Sequence, residues 1–473
     1  MASVLKTAIP AFLATALLEW FATGLHPLWP LMWIAPLPML LFAPTVSWRI
    51  AAPAAFLAWL AGAFTLWGYF NGVIRMPVGV SLGIFVMMSV SFTLPVLLFR
   101  ALVRRGDVWP ALIAPPALSV VLDYLNSLTS VHGTYGSPSY TQLDFLPALQ
   151  AASAAGPWGV TFLLMLASAA LAIGIGRFRH PPALRPALAG LAVVALCLGA
   201  GAVRLSHTQA GPAVTVALMA SDAPENQGIV TAGEPARRLF DAYAEHIETL
   251  AGQGVKVVVL PEKLALVGDE NAADPVFQAL ADRSGLQIVA GVQRLSGAAK
   301  FNEARLYSPQ GAVATYDKQH MLPPFESDLT PGTGLTMLPK GDGLWGIAIC
   351  KDMDFTAPAS LYGGAGVGLM LVPAWDFVAD AWAHGHIAIM RGVESGYAIV
   401  RAAKQGYLTV SDDRGRVVAE TPSGSAPFAT LVTEVPTGHD QTLYLRFGDW
   451  LAKLSMAVLA GVLLRMLVRR RAG

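Results

Sequence analysis

The chain has 473 residues, 54% of them hydrophobic and only 13% charged, and its 32 Lys and Arg nearly balance 31 Asp and Glu. Soluble domains usually carry ~25% charged residues, so a chain this poor in charge is not soluble throughout. A net charge of +1 excludes a general electrostatic footprint for nucleic acid. Two cysteines, with Cys197 inside an apolar run, exclude a disulfide framework.

Most charges fall between Ser221 and Asp440, which leaves the flanks for lipid. A membrane span needs roughly 20 apolar residues. Seven candidates precede the charged segment: Ala8–Leu25, Leu28–Pro44, Ile50–Phe70, Val80–Phe99, Trp109–Leu125, Trp158–Gly176 and Pro186–Val203. Leu28–Pro44 is short and broken by prolines. With Glu19 inside it and apolar segments directly after it, the first span is expected to be a membrane helix rather than a cleaved signal peptide. An eighth span, Trp450–Val468, closes the chain.

Basic residues predict the orientation. Lys6, Arg49, the group Arg100, Arg104 and Arg105, and the group Arg177, Arg179 and Arg185 lie before the first span and after the second, fourth and sixth. Arg469, Arg470 and Arg471 follow the last, whereas the opposite loops and span ends carry only Arg75 and Arg204. The cationic side is expected to be cytoplasmic, and seven crossings then put the hydrophilic segment on the other face. The polar connector Asn126–Gly156 is expected at the outer interface, its Thr134–Gln142 segment being either a plain loop or a lip that guides a lipid chain.

From Ala213 to about Leu445, short apolar runs alternate with helical patterns. Strands are predicted at Ala213–Ala220, Val255–Leu260, Leu286–Gln293, Trp345–Cys350, Val367–Pro373, Ala398–Ala402 and Tyr407–Ser411. Ala304–Tyr307 and Ala312–Tyr316 read as a hairpin, and Pro235–Ala251, Asp274–Ser284 and Ala379–Ser395 as helices. The order fits a two-layer sheet flanked by helices. The expected domains are a membrane domain (1–208), an extracytoplasmic α/β domain (209–445), and a last span with a basic cytoplasmic tail (446–473).

Three charged or nucleophilic residues stand at predicted strand ends: Glu262 in Leu-Pro-Glu-Lys, Lys318 in Tyr-Asp-Lys-Gln-His, and Cys350 in Ile-Cys-Lys-Asp. Singly, each has an ordinary reading: a helix cap, a solvated turn lysine, a buried core thiol. Together they supply a base, a cation and a nucleophile, which a thiol that is mostly protonated at neutral pH requires. Asp352 either orients Lys318 or closes a turn with Asp354. His384 and His386 point about 200° apart on a helix, so with His320 they do not form a metal site. Gly363, Gly364, Gly366 and Gly368 read as a loop, and no phosphate cradle or cofactor motif is present.

This order and context resemble the nitrilase, or carbon–nitrogen hydrolase, superfamily. The resemblance implies an α-β-β-α sandwich, with Glu262 as general base, Lys318 stabilising the oxyanion and Cys350 acylated. Glu326, in Leu322-Pro323-Pro324-Phe325-Glu326, falls where that family often has another active-site carboxylate. With seven spans before the domain and one after it, the chain resembles the apolipoprotein N-acyltransferase family. Leu28-Trp29-Pro30-Leu31, Gly156-Pro157-Trp158-Gly159 and Met390-Arg391-Gly392-Val393-Glu394 carry that likeness. It implies transfer of an acyl chain from a phospholipid, through a cysteine thioester, to the amine of a diacylated lipoprotein or another amine acceptor. It also implies a bacterial inner membrane with the catalytic domain on the periplasmic side. The chain differs from that pattern in three places. Lys351-Asp352 follows Cys350 in place of Tyr-Glu, only 24 positions separate Glu326 from Cys350, and Pro373-Ala374-Trp375-Asp376-Phe377 replaces Asn-Asp-x-Trp-Phe. The alternatives are a membrane-anchored amidase acting on a small extracytoplasmic amide, and a catalytically silent binding relative.

Overall fold

The computed structural model describes residues 2–176, 183–207, 211–268, 272–341 and 343–471. They fall into two compact units, one of residues 1–129, 136–206 and 447–473, the other of residues 130–135 and 207–446. Arg177 and Arg179, part of the charge argument, lie outside the described residues.

The first unit is helical: α1 (Ala2–Ala22), α2 (Trp29–Met32), α3 (Leu37–Phe42), α4 (Trp48–Ala63), α5 (Val78–Arg104), α6 (Val108–Thr129), α7 (Leu146–Leu149), α8 (Ala151–Ala155), α9 (Pro157–Ile175), α10 (Leu184–Ser206) and the C-terminal helix Trp450–Arg471. Seven helices among the described residues are long and apolar enough to cross a membrane. The expected second span is not one of them. Pro30 and Pro38 each sit in a helix first turn, where their missing N–H is harmless, and the chain breaks between α2 and α3.

This broken segment still runs the length of the unit. At its start, the Trp29 carbonyl accepts from Gln142 and the Trp33 indole donates to Gln142. At its end, the Val46 carbonyl accepts from Arg100 and the Pro44 carbonyl from Arg104, on the last turns of α5. Gln142 lies beyond the far end of α6, so the two ends are at opposite poles. The chain therefore traverses the unit seven times before its first strand. The C-terminal helix runs between the same poles, with the Trp450 indole donating to the Ala154 carbonyl and Arg465 pairing with Asp107 in the α5–α6 turn. Arg100, Arg104 and Arg465 share one pole. Close helix contact depends on small residues: at Gly62 of α4 a Cβ would lie 2.3 Å from the Cγ of Glu19.

The second unit holds two sheets. In chain order its strands are β1 (Ala213–Ala220), β2 (Val257–Val259), β3 (Leu266–Val267), β4 (Gln287–Ser296), β5 (Ala299–Tyr307), β6 (Ala314–Asp317), β7 (Thr336–Lys340), β8 (Gly343–Ile347), β9 (Leu369–Trp375), β10 (Ala398–Lys404), β11 (Tyr407–Ser411), β12 (Val417–Pro422) and β13 (Ala429–Pro436). One sheet runs β13-β1-β2-β4-β5-β6 with β3 beside β4, and the other runs β12-β11-β10-β9-β8-β7. Alternation along each strand builds the layers. Val216 and Leu218 of β1 meet Leu371 of β9 and Val400 of β10 between the sheets. Ala217 and Met219 face outward under α11 (Glu234–Glu248) and α12 (Ala273–Ser284). On the opposite face Met370, Val372 and Ile399 pack against α13 (Thr356–Gly364) and α14 (Ala381–Ser395). The result is an α-β-β-α sandwich, in which each fully buried Val or Leu contributes about 1.5–3 kcal/mol.

Several elements differ from expectation. β5 starts at Ala299 and hairpins with β4 over nine pairs, before turning back along β6. β13 pairs with all of β1, from Ala213↔Pro436 to Ala220↔Ala429. The connector after α6 divides between the two units. Residues 130–135 belong to the α/β unit, while Tyr140, Thr141 and Gln142 are buried in the helical unit.

Candidate active site

β2 ends at Val259, and the turn Pro261-Glu262-Lys263 follows. The Gly291 N–H donates to the Pro261 carbonyl (3.1 Å), Glu262 N–H to the Ala374 carbonyl (3.2 Å), and Leu264 N–H to the Gly291 carbonyl (2.9 Å). A Cβ on Gly291 would lie 2.5 Å from the Pro261 oxygen, so only glycine lets β4 support the turn this closely. Lys263 adopts φ 48, a left-handed conformation that costs a non-glycine residue energy and turns its side chain back toward the site.

Glu262, Lys318 and Glu326 converge in one buried cluster. Lys318 Nζ donates to Glu262 Oε1 (2.8 Å) and Glu326 Oε2 (2.9 Å). Asn302 Nδ2 donates to both carboxylates, and Lys263 Nζ donates to Glu326 Oε1 (2.5 Å). Burial alone would lower the Lys318 ammonium, but Glu262 and Glu326 outweigh it and hold the group well above its ordinary value. Burial would raise Glu326, yet Lys318 and Lys263 pull it down to about 2. Both stay charged at neutral pH. Glu262 Oε1 is occupied by its two donors, whereas Oε2 is buried with no hydrogen-bond partner among the described residues.

Cys350 is not at the end of a strand. β8 stops at Ile347, and Cys350 opens a 3₁₀ turn through Asp354 with φ 42. Its Sγ lies 3.6 Å from the Trp375 carbonyl at the end of β9. Burial, reinforced by the Glu262 charge, pushes the thiol up, with Lys318 opposing. The resting thiol is therefore protonated and needs a base before it can attack.

Asp352 contacts the backbone around Lys318 rather than its ammonium. Oδ1 accepts from the N–H groups of Gln319 (3.1 Å) and His320 (2.9 Å), and Oδ2 from Tyr316 (2.8 Å) and Ile349 N–H (3.2 Å). One carboxylate thus binds the segment bearing Lys318 to the turn bearing Cys350. Thr134, from the loop after α6, donates its hydroxyl to the Asp354 carbonyl (2.6 Å), and the neighbouring His132 Nδ1 lies 2.9 Å from Lys351 Nζ.

The histidines go separate ways. His384 Nδ1 lies 3.5 Å from Asp380, whose charge, with that of Asp376, overcomes burial and holds the imidazole up at about 9. His386 packs flat on Trp382 and bonds to its carbonyl. His320 stacks on Phe355 beside Asp352. Among the described residues no group of three or more His, Cys, Asp or Glu could hold a metal ion.

Sequence reasoning missed Asn302, Lys263 and the Trp375 carbonyl. Asn302 carried a signal, since asparagine is depleted within strands and a buried one needs partners. Lys263 carried none, because its direction depends on the left-handed turn.

The fold and cluster define a class: a multi-pass membrane protein whose α/β domain sets a thiol beside a carboxylate–ammonium pair. Comparison narrows it. Residues 15–170 match the family model described as the apolipoprotein N-acyltransferase N-terminal domain. The chain is 27% identical to the apolipoprotein N-acyltransferase of Geobacter metallireducens over 489 residues, covering 92% of this chain and 91% of that one. It is 27% identical to the one from Haemophilus ducreyi over 461 residues, covering 87% and 88%. The chain is thus similar to these apolipoprotein N-acyltransferases over nearly all of its length. Similar solved structures include Saccharomyces cerevisiae Nit3, a member of branch 10 of the nitrilase superfamily (20% identity, TM-score 0.41, 50% of this chain and 93% of that one). An amidase from Nesterenkonia sp. is another (19% identity, TM-score 0.42, 50% and 94%).

Proposed function

We propose that the chain is an N-acyltransferase that moves a fatty acyl group from a phospholipid to the N-terminal amine of a diacylated lipoprotein, with Glu262, Lys318 and Cys350 as its catalytic residues. The observation that carries the assignment is the division of labour on Glu262: one oxygen is saturated by Lys318 and Asn302, and the other is buried without a partner among the described residues. A free basic oxygen in the same buried site as a protonated thiol is what general-base activation requires.

Glu262 Oε2 takes the Cys350 proton as the thiolate attacks the ester carbonyl of the phospholipid. Lys318 stabilises the oxyanion. Collapse breaks the C–O bond, and the lysophospholipid leaves with the proton from Glu262. The acceptor amine then attacks the thioester and gives its proton to Glu262. The C–S bond breaks, and Cys350 recovers the proton as the amide departs. Glu326 holds Lys318 in place, and Asp352 holds the two segments together.

We take residues 1–208 and 446–473 as the membrane domain and 209–445 as the catalytic domain. Seven traverses, with the arginines gathered at one pole, support a catalytic domain on the periplasmic side of a bacterial inner membrane. The purified chain, given phospholipid and a synthetic diacylated lipopeptide, should yield the triacylated product, and Cys350→Ala should yield none. Product formation by Cys350→Ala at the normal rate would reject the assignment. Release of free fatty acid or cleavage of small amides, with no lipopeptide acylation, would favour a hydrolase.

A further inference from the structure

Lys404 is a fully buried lysine that the steps above do not use. It ends β10, in register with Trp375 of β9. Its Nζ donates to the carbonyls of Gly228 (2.9 Å) and Lys263 (3.1 Å) and sits 3.7 Å from the centroid of the Trp375 ring. Each contact bears on the site. The Lys263 carbonyl belongs to the left-handed turn that presents Glu262 and directs the Lys263 ammonium onto Glu326. The carbonyl of Trp375 is the acceptor of the Cys350 thiol. The turn follows β2 of one sheet, and Trp375 ends β9 of the other.

We propose that Lys404 is a positioning residue, whose buried ammonium ties the turn carrying Glu262 to the strand end that receives the Cys350 thiol. The proposal rests on Cys350 being the acylated thiol and Glu262 its base. Those two residues come from different sheets, so their separation depends on how the sheet ends are held. The Glu262 N–H to Ala374 bond is one such tie, and Lys404 is a second, made by a side chain. A lysine suits the position: two N–H groups serve two carbonyls, and the charge is stabilised by the indole face.

The charged groups around Lys404 are Glu262, Lys263 and Asp222. Burial pushes the ammonium down to about 7, with Glu262 and Asp222 resisting and Lys263 adding to the fall. Lys404 therefore changes from charged to neutral as pH rises through neutrality. The neutral amine keeps two N–H donors for the carbonyls but presents a lone pair to the Trp375 ring, so the cation–π contact is lost. The tie is stronger below neutrality than above it.

The test uses the full chain in detergent with phosphatidylethanolamine as acyl donor, and follows acyl-Cys350 formation by intact mass from pH 6 to pH 9. Lys404→Met should slow thioester formation about 10- to 100-fold at pH 6, the scale of a small misplacement of reacting groups. The half-saturating lipid concentration should stay unchanged. The ratio of wild-type to Lys404→Met rates should shrink as pH rises, a trend that a purely architectural lysine would not produce. Lys404→Gln, which keeps a donor without the charge, should show a smaller loss with the same trend. A Lys404→Met rate within about twofold of wild type, a ratio independent of pH, or failure of both variants to fold would overturn the proposal. If the wild-type chain forms no adduct at Cys350, the underlying assignment falls and the proposal with it. If the wild type is acylated and Lys404→Met matches it, the assignment stands and the proposal alone is lost.

Discussion

Replacing Glu262 with Gln separates general-base catalysis from simple charge balance. Glutamine preserves the shape and leaves an oxygen to accept from Lys318 and Asn302, while Lys318 keeps Glu326 as a partner, so the cluster should still assemble. What disappears is the basic oxygen. Positioned general bases contribute on the order of 10²–10⁴ in rate, which corresponds to about 2.7–5.4 kcal/mol of barrier. Burial and the Glu262 charge both hold the Cys350 thiol up, so the loss should lie toward the upper end of that range near neutral pH.

The same substitution removes a negative charge near the sulfur, which must lower the thiol pKa and raise the thiolate fraction at any fixed alkaline pH. Glu262→Gln is thus expected to slow acylation by phospholipid while speeding alkylation of Cys350 by iodoacetamide at pH 9. Both rates can be read by intact mass on one preparation. A variant that acylates at close to the wild-type rate, or one that is alkylated more slowly, would refute the reasoning.

Lys318→Met should reduce acylation by on the order of 10²–10³, as for other oxyanion donors, with no loss of membrane insertion by carbonate extraction. Glu326 ionises in the folded state at about 2, below its unfolded value. Its stabilising contribution is present above the unfolded pKa and is lost as pH falls toward 2, so the wild-type melting temperature should drop between pH 5 and pH 2 more steeply than that of Glu326→Gln. Reporter fusions after Ala210 and at Thr437 should report the periplasm, and fusions at Gly106 and Ala472 the cytoplasm. A cytoplasmic signal after Ala210 would mean that the broken α2–α3 segment does not cross.

The layered α/β unit was legible because its strands alternate cleanly: Val216 and Leu218 face one way, Ala217 and Met219 the other. The spans were legible by length, except where Pro30, Pro36 and Pro38 broke the second into two short helices. β13 was hidden because its exposed face carries Thr430, Glu434 and other residues that read as loop, and its partner β1 lies far away in sequence. At the site, Glu262 and Lys318 could be picked out as residue types at element ends, and Glu326 through the family resemblance. The direction of Lys263 could not, since it depends on a left-handed turn supported by Gly291. Nor could the role of Asp352, which acts on backbone N–H groups from two segments. Periodicity reports which face is buried; it does not report which backbone atoms meet across two sheets.

In the proposed reaction, Cys350 carries the acyl group between lipid and amine. Intact-mass analysis and peptide mapping of the wild-type chain, incubated with phospholipid alone and quenched in acid, test it most directly. A fatty-acyl adduct is expected on the peptide containing Cys350, released by hydroxylamine and discharged by adding a diacylated lipopeptide with a free amino terminus. An unmodified Cys350 peptide in a preparation that still acylates the lipopeptide would contradict it.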